Sequence, residues 1–135
     1  MDSKPYLEMQ DARVMSAAAE SEALANGWHV TIAVVDDGGH LLWLQRMDGA
    51  APASAHMAPA KARTAAMGRR ESRDYEESIN QGRFAFLSAP TLEGMLEGGV
   101  PVMIGGQCVG AVGVSGVKSD QDARIARAGI AALTA

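Results

Sequence analysis

The chain has 135 residues, 47% of them hydrophobic and 21% charged, with a formal net charge of −4, the size and balance expected of one domain spanning 1–135. A single cysteine, Cys108, cannot form an internal disulfide, no Cys/His spacing points to zinc, and the mild acidity without a basic run argues against a nucleic-acid surface. The opening MDSKPYLEMQDARV has no basic-then-apolar leader and no apolar stretch approaches a membrane span, so a cytoplasmic protein with no membrane contact is expected.

From Leu7 to Asn26 the chain is rich in Ala, Glu, Met and Leu, with Val14, Ala17, Ala18 and Ser21 at helical spacings and Gly27 placed to end the helix. VTIAVVD (Val30–Asp36) reads as a strand, and Asp37-Gly38-Gly39 as a tight turn. The partner strand runs from His40 to Met47, and its continuous apolar character predicts burial on both faces. After the Asp48-Gly49 turn, a second helix covers Ala53–Met67, with Pro59 kinking it or marking its first turn and Gly68 stopping it. Residues 69–89 read as polar and irregular, with a short helix around Tyr75–Gln81. Gly94–Glu97 reads as a short strand entering a Gly98-Gly99 turn. Val100–Ile104 follows, with Pro101 suited to an edge, then the Gly105-Gly106 hairpin and the glycine-interleaved strand Cys108–Ser115. Ser119 is the expected N-cap of a last helix reaching Leu133, with Asp120 and Asp122 in its first turn. Two hairpins flanking a helical insertion give an α/β (α+β) domain: one five-stranded antiparallel sheet flanked by helices.

No nucleophile elbow, phosphate loop, zinc-protease or dinucleotide motif is present. Candidate chemistry therefore rests on isolated polar groups. Arg46, at the end of a hydrophobic strand, either braces its turn against Asp48 or binds a ligand carboxylate, and Asp48 beside it is a further candidate ligand-binding residue. Lys61, among Ala58, Ala60, Ala62 and Ala65, either lines a pocket as an anion-binding or proton-transferring group or snorkels to solvent. His56 lies five residues before it, so the two share a helix face only in part. It is the foremost of three histidines as a haem-iron or other metal ligand or a proton carrier, while His29 and His40 sit at junctions where exposure is expected. Glu97, before the Gly98-Gly99 turn, is a candidate base or ligand-binding carboxylate, the turn glycines allowing a ligand close approach. Arg63, Arg69, Arg70 and Arg73 form a solvated or subunit-facing surface or an anion site. Met47, Met57, Met67, Met95 and Met103 fill the core or line a flat apolar site.

VTIAVVDDGGHLLWLQRMDGA, then Ser54, Ala58 and the run Lys61-Ala62-Arg63-Thr64-Ala65, then GGVPVMIGGQCVGAVGVSG and SDQDARIARAG, occur in that order. With them the sequence from Leu7 to Leu133 resembles the GlcG/HbpS-like (haem-degrading domain) family. The resemblance implies a profilin-like fold and homo-oligomers from dimers to octamers. Family members include a haem-binding sensor partner, a haem-binding C-terminal domain of a corrinoid adenosyltransferase, and proteins from glycolate operons. The secreted haem-binding member has a signal peptide and an N-terminal metal-binding segment that this sequence lacks, and no iron ligand carries over position by position.

Three readings follow. One is a binder of haem or a related tetrapyrrole, with Met or aliphatic walls, Arg46 or Lys61 at the rim and His56 near the iron. Another is a small cofactor-independent catabolic enzyme (isomerase, lyase or hydrolase) for a carboxylated or phenolic metabolite, with Arg46 orienting the carboxylate and His56, Lys61 or Glu97 moving a proton. The last is a non-catalytic assembly protein whose small-residue surfaces serve as subunit contacts.

Overall fold

The structure, a computed structural model, describes residues 1–134; Ala135 lies outside them. Helix α1 (Met9–Ala25) starts where Glu8 and Asp11 cap one another, the Glu8 amide donating to Asp11 Oδ2 at 2.8 Å. Its buried residues Ala12, Met15, Ser16, Ala19 and Ala23 recur every three or four positions and form one stripe. Strands β1 (Thr31–Asp36) and β2 (Leu41–Arg46) form the first hairpin. Helices α2 (Ser54–Gly68) and α3 (Ser72–Asn80) and a 3₁₀ turn (Phe84–Ser88) precede the second hairpin, β3 (Gly99–Ile104) and β4 (Gln107–Ser115). Helix α4 (Ser119–Thr134) closes the chain.

The strand order is β2-β1-β4-β3, antiparallel throughout. The two central strands come from different hairpins and are buried on both faces, Thr31 to Val35 in β1 and Cys108 to Val114 in β4. Alternation sends Ile32, Val34, Val112 and Val114 into the core shared with α1 and α4, and Ala33, Val35 and Ala111 toward α2. On the α2 side the helix contributes Ala58, Ala62, Ala65 and Ala66, so small packs on small. Gly113 shows how close that layer is. A Cβ there would lie 2.1 Å from the Ala58 carbonyl oxygen and 2.5 Å from the Ala62 nitrogen.

Several expectations need correction. The sheet has four strands, not five, because residues 94–97 bond to helices instead of to a strand. The Gly94 amide donates to Thr64 Oγ1 at 3.2 Å, and the Glu97 amide to Glu76 Oε1 at 3.1 Å. Strand β2 is not covered on both faces. It is an edge strand on which Leu41 and Leu44 are exposed, while a bulge opposite Val34 and Val35 turns Leu42 and Trp43 onto the core. Helix α2 runs through Pro59 without a break and ends at Gly68, but the left-handed cap residue is Arg69, at φ 58°. Its guanidinium donates to the Asp37 and Ala66 carbonyls at 2.7 and 3.0 Å. Ser119 is the first helical residue, not the cap. The α4 start is closed from Lys118, whose carbonyl accepts the Asp122 amide at 2.8 Å and whose amide donates to Gln121 Oε1 at 3.2 Å. Pro101 does lie on an edge strand.

Candidate functional site

The turn between β1 and β2, Asp36-Asp37-Gly38-Gly39-His40, is organised by one carboxylate. Asp36 Oδ1 accepts the Gly38 and His40 amides, each at 2.9 Å, and lies 3.0 Å from His40 Nδ1. An ionised carboxylate can only accept, so Nδ1 carries the proton and Nε2 is the nitrogen left free. Two cations clamp the same turn from outside: Lys4 Nζ lies 2.6 Å from Asp37 Oδ2, and Arg69 holds the Asp37 carbonyl. The Lys4 hydrogen bond is the main reason the Asp37 carboxyl sits below the usual aspartate range.

Helix α2 faces this turn with His56, Pro59, Ala60 and Arg63, positions one and two turns apart on one side of the helix. Gly39, at φ 82°, lets the Arg63 stem lie against the turn; a Cβ at Gly39 would sit 2.8 Å from Arg63 Cγ. Together with Val35, Leu41 and Glu93 these residues line an open cleft of about 400 Å³. Among the described residues, Arg63, His56 and Glu93 have no side-chain hydrogen bond, ion pair or ring partner. The cleft thus holds one carboxylate-oriented imidazole and three unengaged polar groups against aliphatic walls.

Lys61 points the other way. Its side chain is 4% exposed, and Nζ donates to Asp122 Oδ2 and to the Val114 carbonyl, each at 3.0 Å. Asp122, in the first turn of α4, is 2% exposed, and its Oδ1 accepts the Val117 amide at 3.1 Å. Burial pushes the Asp122 carboxyl above its ordinary value, against the opposing pull of Lys61. Gly98 and Gly99 pack directly on Lys61. A Cβ at Gly99 would lie 2.1 Å from the Lys61 carbonyl oxygen, and one at Gly98 2.8 Å from Nζ. Gly98 therefore leaves room for the ion pair, and Gly99 for the α2 backbone.

The other sequence candidates are scattered. Arg46 Nε donates to the Ala50 carbonyl at 3.2 Å, bracing its turn through a backbone oxygen. Arg46 and Asp48 line a separate cleft of about 340 Å³ with His29 and Glu20. Glu97 lies beside α3, near enough to help raise the Arg73 guanidinium, whose main partner is Glu77. His56, Lys61, Glu97 and Arg46 are thus not gathered into one site. The cleft brings His56 together with His40, Arg63 and Glu93 instead. Two patterns in the sequence are signals for it that a residue-by-residue reading does not use: the Asp36–His40 separation across a two-glycine turn, and the seven-residue spacing of His56 and Arg63. Among the described residues no three His, Cys, Asp or Glu side chains are arranged to hold a metal ion.

The chain belongs to the family described as haem degrading protein HbpS-like, which matches residues 7–131. It is 56% identical over 115 residues to protein GlcG of Escherichia coli strain K12, covering 85% of each chain. A double mutant of HbpS from Streptomyces reticuli is 34% identical and superposes with a TM-score of 0.88, covering 97% of this chain and 89% of that one. A PduOC–haem complex, 27% identical, superposes at 0.86 over 95% of both chains.

Proposed function

We propose that this protein binds haem or a related tetrapyrrole in the cleft between α2 and the β1–β2 turn. The observation that carries the reading is His40, an imidazole whose Nδ1 is engaged by Asp36 at 3.0 Å and whose Nε2 is unengaged. A carboxylate behind a histidine fixes the ring and its tautomer and raises its basicity as a ligand. The absence of a three-ligand cluster among the described residues does not oppose this, because a porphyrin brings its own four nitrogens and needs one protein imidazole. His56 supplies a second imidazole, Arg63 an unpaired cation for a propionate, and Val35, Leu41 and Pro59 the apolar wall. Arg46 and Lys61 take no part, the first lying in another cleft and the second in the core. The solved haem complex of PduOC supports the choice of ligand. A cleft of about 400 Å³ lies at the small end for ligand sites and covers part of a macrocycle.

On the same reading the chain works in the cytoplasm as a homo-oligomer, between dimer and octamer. The exposed Leu41 and Leu44 on edge strand β2 support self-association next to the cleft. No helix among the described residues is long and apolar enough to cross a membrane.

The test is a hemin titration followed by visible absorbance, on wild type, His40→Ala, His56→Ala and Arg63→Ala in parallel. A saturable Soret shift in wild type that His40→Ala abolishes and Arg63→Ala weakens is expected. A wild-type spectrum that does not shift removes the reading, and a shift lost only in His56→Ala reassigns the iron ligand. Light scattering of the same samples gives the subunit count.

A further inference from the structure

The polar groups of the cleft have a property that haem binding does not require. Asp36 and His40 form a carboxylate–imidazole pair whose Nε2, when the ring is neutral, is a proton acceptor, and the Arg63 guanidinium, unpartnered among the described residues, belongs to the same cleft. An orienting carboxylate, a base and a neighbouring cation are the parts needed to take a proton from a carbon acid and hold its negative charge. We propose that the haem-free protein catalyses proton exchange and keto–enol tautomerisation at the carbon next to the carbonyl of small 2-oxo carboxylic acids.

The substrate class follows from the groups. Arg63 presents a planar fork of donors that suits a carboxylate. An imidazole removes a carbon-bound proton only where the electron pair left behind can be delocalised, as beside a carbonyl. A small acid fits within the cleft of about 400 Å³ beside Val35, Leu41 and Pro59, where a macrocycle is covered only in part. In the step, the C3–H bond breaks, the proton passes to His40 Nε2, and the electron pair moves into the C2 carbonyl as an enolate. Return of a proton from His40 to C3 restores the ketone, and to oxygen gives the enol. Nothing is oxidised or reduced. Asp36 is a positioning residue. It holds the imidazole and offsets the charge His40 gains, while the neighbouring cation and acid are Arg63 and Glu93 and the second imidazole is His56. The His40 side chain is 80% exposed, so water is not excluded and a general-base effect of only about 10²-fold, the lower end of the usual range, is expected.

The experiment follows loss of the C3 methylene proton signal of 2-oxobutanoate in D₂O by NMR, with haem-free protein against buffer containing equimolar imidazole. Wild type is expected to exchange about 10²-fold faster than that buffer. His40→Ala returns to the buffer rate, and added imidazole restores part of the difference. Arg63→Ala raises the half-saturating concentration more than it lowers the saturated rate. Asp36→Asn keeps an acceptor for the turn but lowers the rate and moves its pH profile, which a purely structural aspartate would leave in place. Exchange at the buffer rate by wild type, or at the wild-type rate by a folded His40→Ala, overturns the proposal. The two readings of the cleft separate cleanly. A Soret shift without exchange leaves tetrapyrrole binding and removes this activity, and exchange without a Soret shift does the reverse.

Discussion

Replacing Lys61 by Met tests whether this lysine is a structural group. The change keeps the length of the side chain and removes the charge, leaving Asp122 2% exposed with only backbone amides to face. Breaking one side of a buried ion pair costs about 3–5 kcal/mol, because the remaining charge is stranded. Against a typical total of about 5–15 kcal/mol for a domain this is a large fraction. The partner change Lys61→Met with Asp122→Asn removes both charges, keeps an oxygen for the Val117 amide, and should recover all but about 1–2 kcal/mol. Urea unfolding of the four proteins at one fixed concentration gives the coupling, expected to exceed about 2 kcal/mol. The pH dependence adds a sign. The folded Asp122 carboxyl already lies above its unfolded value through burial, so its contribution is full below the unfolded value and is lost as pH rises through the folded one. Without Lys61 the opposing pull is gone and the carboxyl rises further. Lys61→Met should therefore be less destabilised relative to wild type at pH 5 than at pH 8. A penalty under about 1 kcal/mol with no coupling would refute the structural assignment and return Lys61 to the list of candidate proton carriers.

Gly113→Ala forces a Cβ to within 2.1 Å of the Ala58 carbonyl oxygen, where no flexible side chain can yield, so a loss near the top of the usual 1–3 kcal/mol for overpacking is expected from denaturant unfolding. Gly105→Ala meets nothing within 4 Å and bears only the left-handed backbone penalty at φ 57°, about 1–2 kcal/mol. Asp37 should titrate below an unstructured aspartate by NMR, and Lys4→Ala should move it back up. Because its folded value is lowered, the contact stabilises above the unfolded value and is lost as pH falls through the folded one. The pair is open to solvent, so global stability should change by well under 1 kcal/mol.

The elements were legible where local chemistry decided them. Gly27, the Asp37–Gly39 turn and the Gly105-Gly106 turn punctuate the chain strongly enough to place α1 and both hairpins to within a few residues. The fifth strand failed because Met95 and Leu96 look like strand residues locally, whereas the Gly94 and Glu97 amides find partners on α2 and α3, which no local pattern reports. The β2 strand differs for a related reason: its apolar run predicts burial, but an edge strand can expose Leu41 and Leu44. Lys61 was the hardest residue to judge. Its partner is 61 positions away, and only the packing of α2 against β4 and α4 brings them together. The Arg63 position was hidden by its basic neighbours. Arg69, Arg70 and Arg73 all have partners, and only the structure shows that Arg63 has none among the described residues.

The buried pair also bears on which face of α2 meets the β1–β2 turn. Helix α2 lies on alanines and glycines, and polar contacts fix its rotation: Ser54 Oγ meets Thr31 Oγ1 at 2.7 Å and Thr64 Oγ1 accepts the Gly94 amide at 3.2 Å. Lys61 adds a further fixing contact, since its ammonium reaches both Asp122 and the Val114 carbonyl. Fixing Lys61 toward the sheet fixes His56 and Arg63 toward the β1–β2 turn, two residues on one side and five on the other. The double variant Lys61→Met with Asp122→Asn should then fold and yet bind hemin several-fold more weakly than wild type, because the helix keeps its place but loses one of the contacts that set its rotation. Equal hemin affinity in that variant would mean that the alanine layer with the Ser54 and Thr64 hydrogen bonds orients the helix, and that the ion pair serves stability without setting the cleft.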